Sequence, residues 1–407
     1  MKILIVNTFY YPNMQGGAEQ SVKLLAEELA NRGNEVAIYC ADSRDGKEEN
    51  SEYNKVKIYR RTTHKFNLYR FSYEKDKVGK FEKIQQKLIC YYNKECVNDF
   101  KKICEEFKPD VIHTNTTYGI SGAIWKKAQK MGIPTIHTVR DIGLISPVQY
   151  GHKANFMIKK IHLLFTKHAT SCVTAVTAPS NYTLNTTLEK GCFKNAKIKK
   201  CIFNSVKIDY EELKKIIEEK RTRQDKKIKF MYAGRLIYFK GIEHMLKAFE
   251  NIKNRDCELH ICGTGNMQEL VENSAKNDSR IKYHGKLNNE DLAKCYKECD
   301  VLIVPSYWPE PFGRVLIEGN LYGLPVIAGN CGGMPEIIEQ TKAGEIYKPN
   351  DADELTKKMY EISNREIIKS YFDNILNNIK KYDIIDQVNR FEEIYMKIIQ
   401  KLSRRKK

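Results

Sequence analysis

Short apolar runs alternate with helical patterns along nearly the whole 407-residue chain, and few folds accept that alternation. Strands separated by helices pair in parallel and bury both faces, which gives an α/β architecture. Two such series are visible. The first has strand patterns at 2–7, 35–40, 111–113, 135–138, 171–177 and 198–202, with a helix over 18–32 closed by Gly33. The second has them at 228–233, 258–263, 281–283, 301–305 and 325–328. Between the series, 209–227 is highly charged and reads as a linker. A polar insertion from about Glu48 to Phe107 interrupts the first series and carries a basic, aromatic helix over Lys80–Phe107. The last amphipathic helix, Ile384–Leu402, has no strand partner. Two doubly wound, Rossmann-like domains with a cleft between them are expected, with ligands at the carboxyl ends of the strands.

The chemistry concentrates in the second series. Asp300–Pro305 reads as a buried strand, and Ser306–Gly313 as a loop turning at Gly313 into a helix over Arg314–Tyr322. Amides around Phe312, Gly313, Arg314 and Val315 would then face an anion, with Glu310 on the loop and Glu318 one turn into the helix. That pocket suits a ligand both anionic and rich in hydroxyls, such as a sugar nucleotide. After strand 228–233, Gly234-Arg235 and Lys240-Gly241 put two cations at a strand-to-helix junction. Arg235 can grip a diphosphate as a fork and Lys240 as a mobile charge, and neutralising a departing diphosphate is the chief task when a glycosidic bond to it breaks.

Further loops are less specific. Gly16-Gly17 could present amides to phosphate or form an ordinary turn. Cys262-Gly263-Thr264-Gly265 lacks the third glycine of a dinucleotide fingerprint. Asn330–Glu336 repeats the glycine-then-helix device as a cleft-lining loop. Asp351-Ala352-Asp353 resembles a metal-binding pair, but its context makes it a helix cap. His113 and His137 end strands, where each could touch substrate or satisfy itself in the core. Twelve cysteines show no C-x2-C pair, so they indicate neither zinc nor a disulfide framework and read as small buried residues.

These motifs, in this order, resemble the retaining glycosyltransferases of family four, which have the GT-B architecture. The resemblance spans essentially the whole chain. It rests on Gly16-Gly17-Ala18-Glu19, Gly234-Arg235 with Lys240-Gly241, the pair Glu310 and Glu318, and Cys331-Gly332-Gly333-Met334-Pro335-Glu336. It implies a hexosyltransferase of the EC 2.4 class, independent of metal and of any cofactor beyond the nucleotide-sugar co-substrate. Glu310 would hold donor-sugar hydroxyls, Arg235 and Lys240 the diphosphate, and Glu318 the ribose; Gly16 and Gly17 would approach the phosphate from the first domain. It implies too that the last helix packs back on the first domain, giving domains 1–207 with 384–403 and 208–383. Retaining members are thought to react on one face of the sugar, a phosphate oxygen helping to deprotonate the acceptor. The family often has His-Asp where this chain reads Arg140-Asp141. Arg140 could contact phosphate or acceptor but cannot act as a base near neutral pH, and Asp141 keeps its place.

Charge bears on the acceptor. Residues 1–200 hold 33 Lys/Arg against 19 Asp/Glu, and 201–407 hold 36 against 32. The surplus in the first half, with Phe156–Phe165 at its centre, suggests an amphipathic face against an anionic membrane. The alternative is a buried helix. The opening run reads as a strand rather than a targeting signal, and nothing approaches the roughly 20 apolar residues of a membrane span. The expectation is a cytoplasmic enzyme, peripheral on the inner face of the plasma membrane. It would move a sugar from a UDP- or GDP-linked donor to a saccharide or lipid-linked acceptor in cell-surface polysaccharide biosynthesis. An epimerase or hydrolase of nucleotide sugars on the same fold is the alternative. No nucleic-acid motif or stacking platform is present, so nucleic acid is not an expected partner.

Overall fold

The computed structural model describes residues 1–407 apart from 15, 44–46, 62–78, 80–87, 148–154, 254–255 and 407, with backbone alone for 402–406. The chain divides into two compact units, Met1–Ser205 with Ile384–Lys407, and Val206–Asp383.

The first unit is built on an eight-stranded sheet: β1 (Lys2–Val6), β2 (Glu35–Cys40), β3 (Glu49–Tyr53), β4 (Val56–Arg60), β5 (Val111–Thr114), β6 (Thr135–Thr138), β7 (Ala175–Ala178) and β8 (Ile198–Cys201), in the order β3-β4-β2-β1-β5-β6-β7-β8. All neighbours are parallel except β3, which pairs antiparallel with β4 at the edge. Side chains alternate along β1. Leu4 and Val6 join Phe100, Ile103 and Trp125 in one core cluster, whereas Ile3 and Ile5 join Leu25, Leu29, Phe391 and Tyr395 in the other. The final helix, Ile384–Lys406, belongs to this second layer. It buries Ile384, Val388, Phe391, Ile394, Tyr395 and Ile398, each worth about 2 kcal/mol as an upper estimate. Arg32 fixes its register by donating to Asn389 and Glu392.

The second unit carries a six-stranded parallel sheet: β9 (Ile228–Ala233), β10 (Cys257–Cys262), β11 (Ile281–Gly285), β12 (Val301–Val304), β13 (Val326–Gly329) and β14 (Gly344–Tyr347), in the order β11-β10-β9-β12-β13-β14. From β9 the chain winds outward to β11, then returns past β9 and winds the other way. The direction therefore reverses between β9 and β12, and the loops leaving these two strands flank a natural ligand crevice.

Three sequence readings are corrected. Residues 209–227 are not a linker: Asp209 caps a helix, Tyr210–Thr222, that buries Leu213, Ile216, Ile217 and Lys220. The spacing is amphipathic, but pairs of long charged side chains bracket Leu213 and the Ile216-Ile217 pair and mask it. The insertion at 48–107 holds β3 and β4, and its described helix spans Lys94–Phe107; positions 80–87 of the expected helix lie outside the described residues. The seventh strand starts at Ala175 because the preceding helix runs on to Thr170.

Candidate active site

The helices of the second unit differ in how they begin. Asp209, Asn288, Asp351 and Asn364 cap their helices with side-chain oxygens, and for Asp351 this is the capping role expected of its D-x-D context. The helices that follow β9, β12 and β13 begin instead at Gly241, Gly313 and Gly333, with no side-chain cap. These strands are adjacent in the sheet. Three helix N-termini, each with its positive dipole end bare of capping side chains, thus gather at one edge, where an anion is favoured.

Into this edge the structure brings Lys240 and Glu310. Lys240 Nζ donates to Glu310 Oε1 at 2.5 Å, and Ser306 Oγ donates to the same oxygen at 3.3 Å. Both members of the pair are largely shielded, at 25% and 20% side-chain exposure, so a ligand could reach them without either being fully solvated. Close backbone packing sets their positions. Gly241 has φ +72°, and a Cβ there would lie 2.0 Å from the Pro305 oxygen. Gly332 has φ +62°, and its Cβ would lie 2.2 Å from the Glu310 oxygen, which Gly333 N–H meets at 2.8 Å. The loop after β13 therefore props the loop that carries Glu310.

Glu318 is held by Arg314 at 2.9 Å on the first turns of the helix Arg314–Leu321. Phe312 is buried, while Gly313 and Val315 are half-buried. Arg235 is exposed beside Gly234, its carbonyl receiving Tyr232 Oη at 2.8 Å. Sequence reasoning missed Ser306 and the rings of Tyr238, Phe239, Tyr307 and Trp308, which pack edge-on or tilted around Lys240's turn. Aromatic residues flanking the two charged loops were the available signal.

The remaining candidates lie in the first unit. Gly16 and Gly17 are exposed at the start of the helix Gly17–Asn31, where Gly16 N–H donates to Glu19 at 2.9 Å. Arg140 is buried, donating through Nε to Asn115 at 3.0 Å and through Nη1 to Asn204. Asp141 accepts from Gly143 N–H at 2.7 Å, and burial raises its carboxyl pKa. Both line a cavity of about 560 Å³ at the carboxyl ends of β5 and β6, with Asn115, Tyr118, Lys126 and Phe165.

Of the two readings open for His113, the structure shows the core one. It is fully buried with one ring nitrogen 2.6 Å from Tyr395 Oη and the other 2.7 Å from Thr138 Oγ1. Neither nitrogen is left for a ligand, and the ring instead ties the final helix to the sheet. His137 likewise meets Thr114 at 2.9 Å and stacks on Phe193. Burial, then the nearby Arg140 charge, pulls His137 down to about 3 and pushes His113 well below the usual histidine range. In the unfolded chain both take up a proton below about pH 6.5. The unfolded state then binds more protons, so stability is present above pH 6.5 and is lost as pH falls toward 3. Each histidine should contribute up to about 1.4 kcal/mol per pH unit in that window. Urea midpoints between pH 7.5 and 5 should fall, and His137→Gln should flatten the slope; an unchanged slope would show that other groups govern acid lability.

The two Rossmann-like units define the GT-B class, and comparison with known proteins agrees. Residues 15–200 match the profile described as Glycosyltransferase Family 4, and residues 214–393 that of Glycosyl transferases group 1. An uncharacterized 42.6 kDa protein in the cps region of Klebsiella pneumoniae is 32% identical over 83% of this chain and 87% of its own length. The O-antigen chain mannosyltransferase C of Escherichia coli is 27% identical over 43% of this chain and 48% of its own. Among solved structures, sucrose-phosphate synthase from Thermosynechococcus elongatus superposes with a TM-score of 0.76 at 20% identity, covering 98% of this chain and 99% of that one. Anabaena HepE in complex with UDP-glucose gives 0.66 at 17% identity, over 98% and 100%. The chain belongs to glycosyltransferase family 4. It is a glycosyltransferase, an enzyme of the EC 2.4 class.

Proposed function

We propose that the protein is a retaining, metal-independent glycosyltransferase. It would move a hexose from a UDP- or GDP-linked donor to a saccharide or lipid-linked saccharide in cell-surface polysaccharide assembly. The observation that carries this reading is the Lys240–Glu310 pair set among three uncapped helix N-termini at the β9/β12 reversal. Lys240 and Arg235 would neutralise the diphosphate as it leaves, and the helix N-terminus at Gly313–Val315 would add amide donors. Glu310 would take sugar hydroxyls and Glu318 the ribose. The cps region named for the Klebsiella relative, the O-antigen mannosyltransferase and the UDP-glucose complex of a structural neighbour support the substrate classes.

Slow hydrolysis of a panel of UDP-, GDP- and ADP-sugars, read as released nucleotide, tests the donor. One donor cleaved and then transferred to a saccharide acceptor supports the reading. Freed or epimerised sugar with no acceptor dependence would replace transfer by the hydrolase or epimerase reading.

The acceptor would be met at an anionic membrane surface. The helix Phe156–Thr170 buries only Thr166 and Thr170, and leaves Phe156, Met157, Ile158, Ile161, Leu164 and Phe165 exposed beside Lys159 and Lys160. An exposed apolar face with flanking cations suits insertion at an anionic interface, and Phe165 also lines the 560 Å³ cavity. No helix among the described residues is long and apolar enough to cross a membrane. The protein should co-sediment with phosphatidylglycerol vesicles at low salt. Lys159→Glu with Lys160→Glu should weaken this by at least roughly thirtyfold, at about 1 kcal/mol per cation before reversal of sign. Absence of co-sedimentation would remove the membrane from the proposal.

A further inference from the structure

The second unit contains a cluster for which the transfer reaction has no use. His260 on β10 and Cys295 and Cys299 at the end of the helix Asn289–Glu298 place one ligand atom each within 4.8 Å of one another, all three residues buried. Cys262, two residues along β10 and so on the face of His260, has its sulfur 3.6 Å from that of Cys295. The sequence hid the group because its halves, H-x-C and C-x3-C, lie on different elements and neither is a C-x2-C. Residues 295 and 299 are one helical turn apart, which puts both thiols on one side.

Packing alone does not account for the arrangement. The helix Asn289–Glu298 buries only Cys295 and Tyr296, a thin apolar face for ten residues. His260 Nε2 is buried with no hydrogen bond, 3.5 Å from a Glu258 carboxylate oxygen. An imidazole nitrogen in that position is an unspent donor or lone pair. Its Nδ1 lies 3.1 Å from His284 Nε2, and the two rings stack. A ligating histidine is commonly oriented by a hydrogen bond at its other ring nitrogen, and His284 supplies one here.

We infer that His260, Cys295 and Cys299 form a structural zinc site, with Cys262 the thiol at hand for the fourth position. Two thiolates and an imidazole are a donor set that favours Zn2+ over oxygen-seeking cations. Binding forms Zn–S bonds at Cys295 and Cys299 and releases their two protons to solvent, and a third where Cys262 takes the fourth position, with no change of oxidation state. The ion clamps the weakly buried helix to the sheet beside Gly263, where β10 ends. The inference stands independently of the donor and acceptor proposed above.

Co2+ added to the reduced, full-length protein is the probe. One equivalent should give thiolate-to-cobalt charge-transfer bands with the visible absorption of a tetrahedral site, displaced by Zn2+. Cys201→Ser should keep the spectrum, whereas Cys295→Ser and Cys299→Ser should lose it and retain at least tenfold less zinc after dialysis. A folded, reduced wild-type protein without these bands overturns the inference, and needs no variant to do so. So does a spectrum that survives both cysteine substitutions. A Cys262–Cys295 disulfide found by peptide mapping of the air-exposed protein, in a protein that takes up no cobalt, would also overturn it.

Discussion

Lys240→Ala should lower sugar transfer by at least about 10³-fold, equivalent to about 4 kcal/mol of transition-state stabilisation, while leaving the protein folded. The reasoning is local. Lys240 sits in the short turn Tyr238–Lys240, whose backbone hydrogen bonds to Ile237 and Tyr238 do not involve its side chain. Its ammonium contacts Glu310 and is only a quarter exposed. Deleting it leaves Glu310 with the Ser306 hydroxyl, and the change in stability should stay near 1 kcal/mol, as for other part-exposed pairs. The chemistry loses far more. A diphosphate leaving group gains charge as the bond to the sugar breaks, and a cation already held in place needs no reorganisation to meet it. Nucleotide released from the preferred donor, with a thermal unfolding curve on the same preparation, separates the outcomes. Turnover at the wild-type rate would refute the role given to Lys240.

How far the fold was legible depended on whether a residue's environment is local in sequence. β1, β9 and β12 are apolar on both faces because helices cover both, so their runs stood out. β3 and β14 did not: Glu49–Tyr53 is an exposed edge strand and Gly344–Tyr347 a half-buried one, and edge strands lack the continuous apolar signature. The candidate site was legible for a similar reason. Glycines and charges immediately after strands mark the carboxyl edge of a parallel sheet, so Lys240, Glu310 and Glu318 could be named without a structure. Saturation of His113 could not. Its partners, Tyr395 and Thr138, lie 282 and 25 residues away, and no spacing rule connects them. The same applies to His260 with Cys295 and Cys299, where a strand and a helix each supply half a pattern.

Gly332→Ala should impair transfer at least about 10²-fold without altering any group that touches substrate. At φ +62° a side chain is already strained, and the added methyl would fall within 2.2 Å of the Glu310 oxygen and 2.5 Å of its nitrogen. Those are backbone atoms, which cannot swing aside as the tip of a lysine can. The loop carrying Glu310 must therefore move, or the loop after β13 must open and lose the hydrogen bond from Gly333 N–H to the Glu310 carbonyl. Either way stability should fall by about 1–3 kcal/mol, and Glu310 shifts relative to Lys240. A displacement near 1 Å is enough to account for a 10²-fold loss. Two explanations then compete, fewer folded molecules or a misplaced carboxylate, and temperature separates them. If unfolding is the cause, the rate should recover at a temperature where circular dichroism shows the variant fully folded; if Glu310 is misplaced, the deficit should persist there. Combining Gly332→Ala with Glu310→Gln sharpens the distinction. Loss through Glu310 should make the double variant scarcely slower than Glu310→Gln alone, whereas multiplying defects would show that Gly332 acts through some other part of the fold.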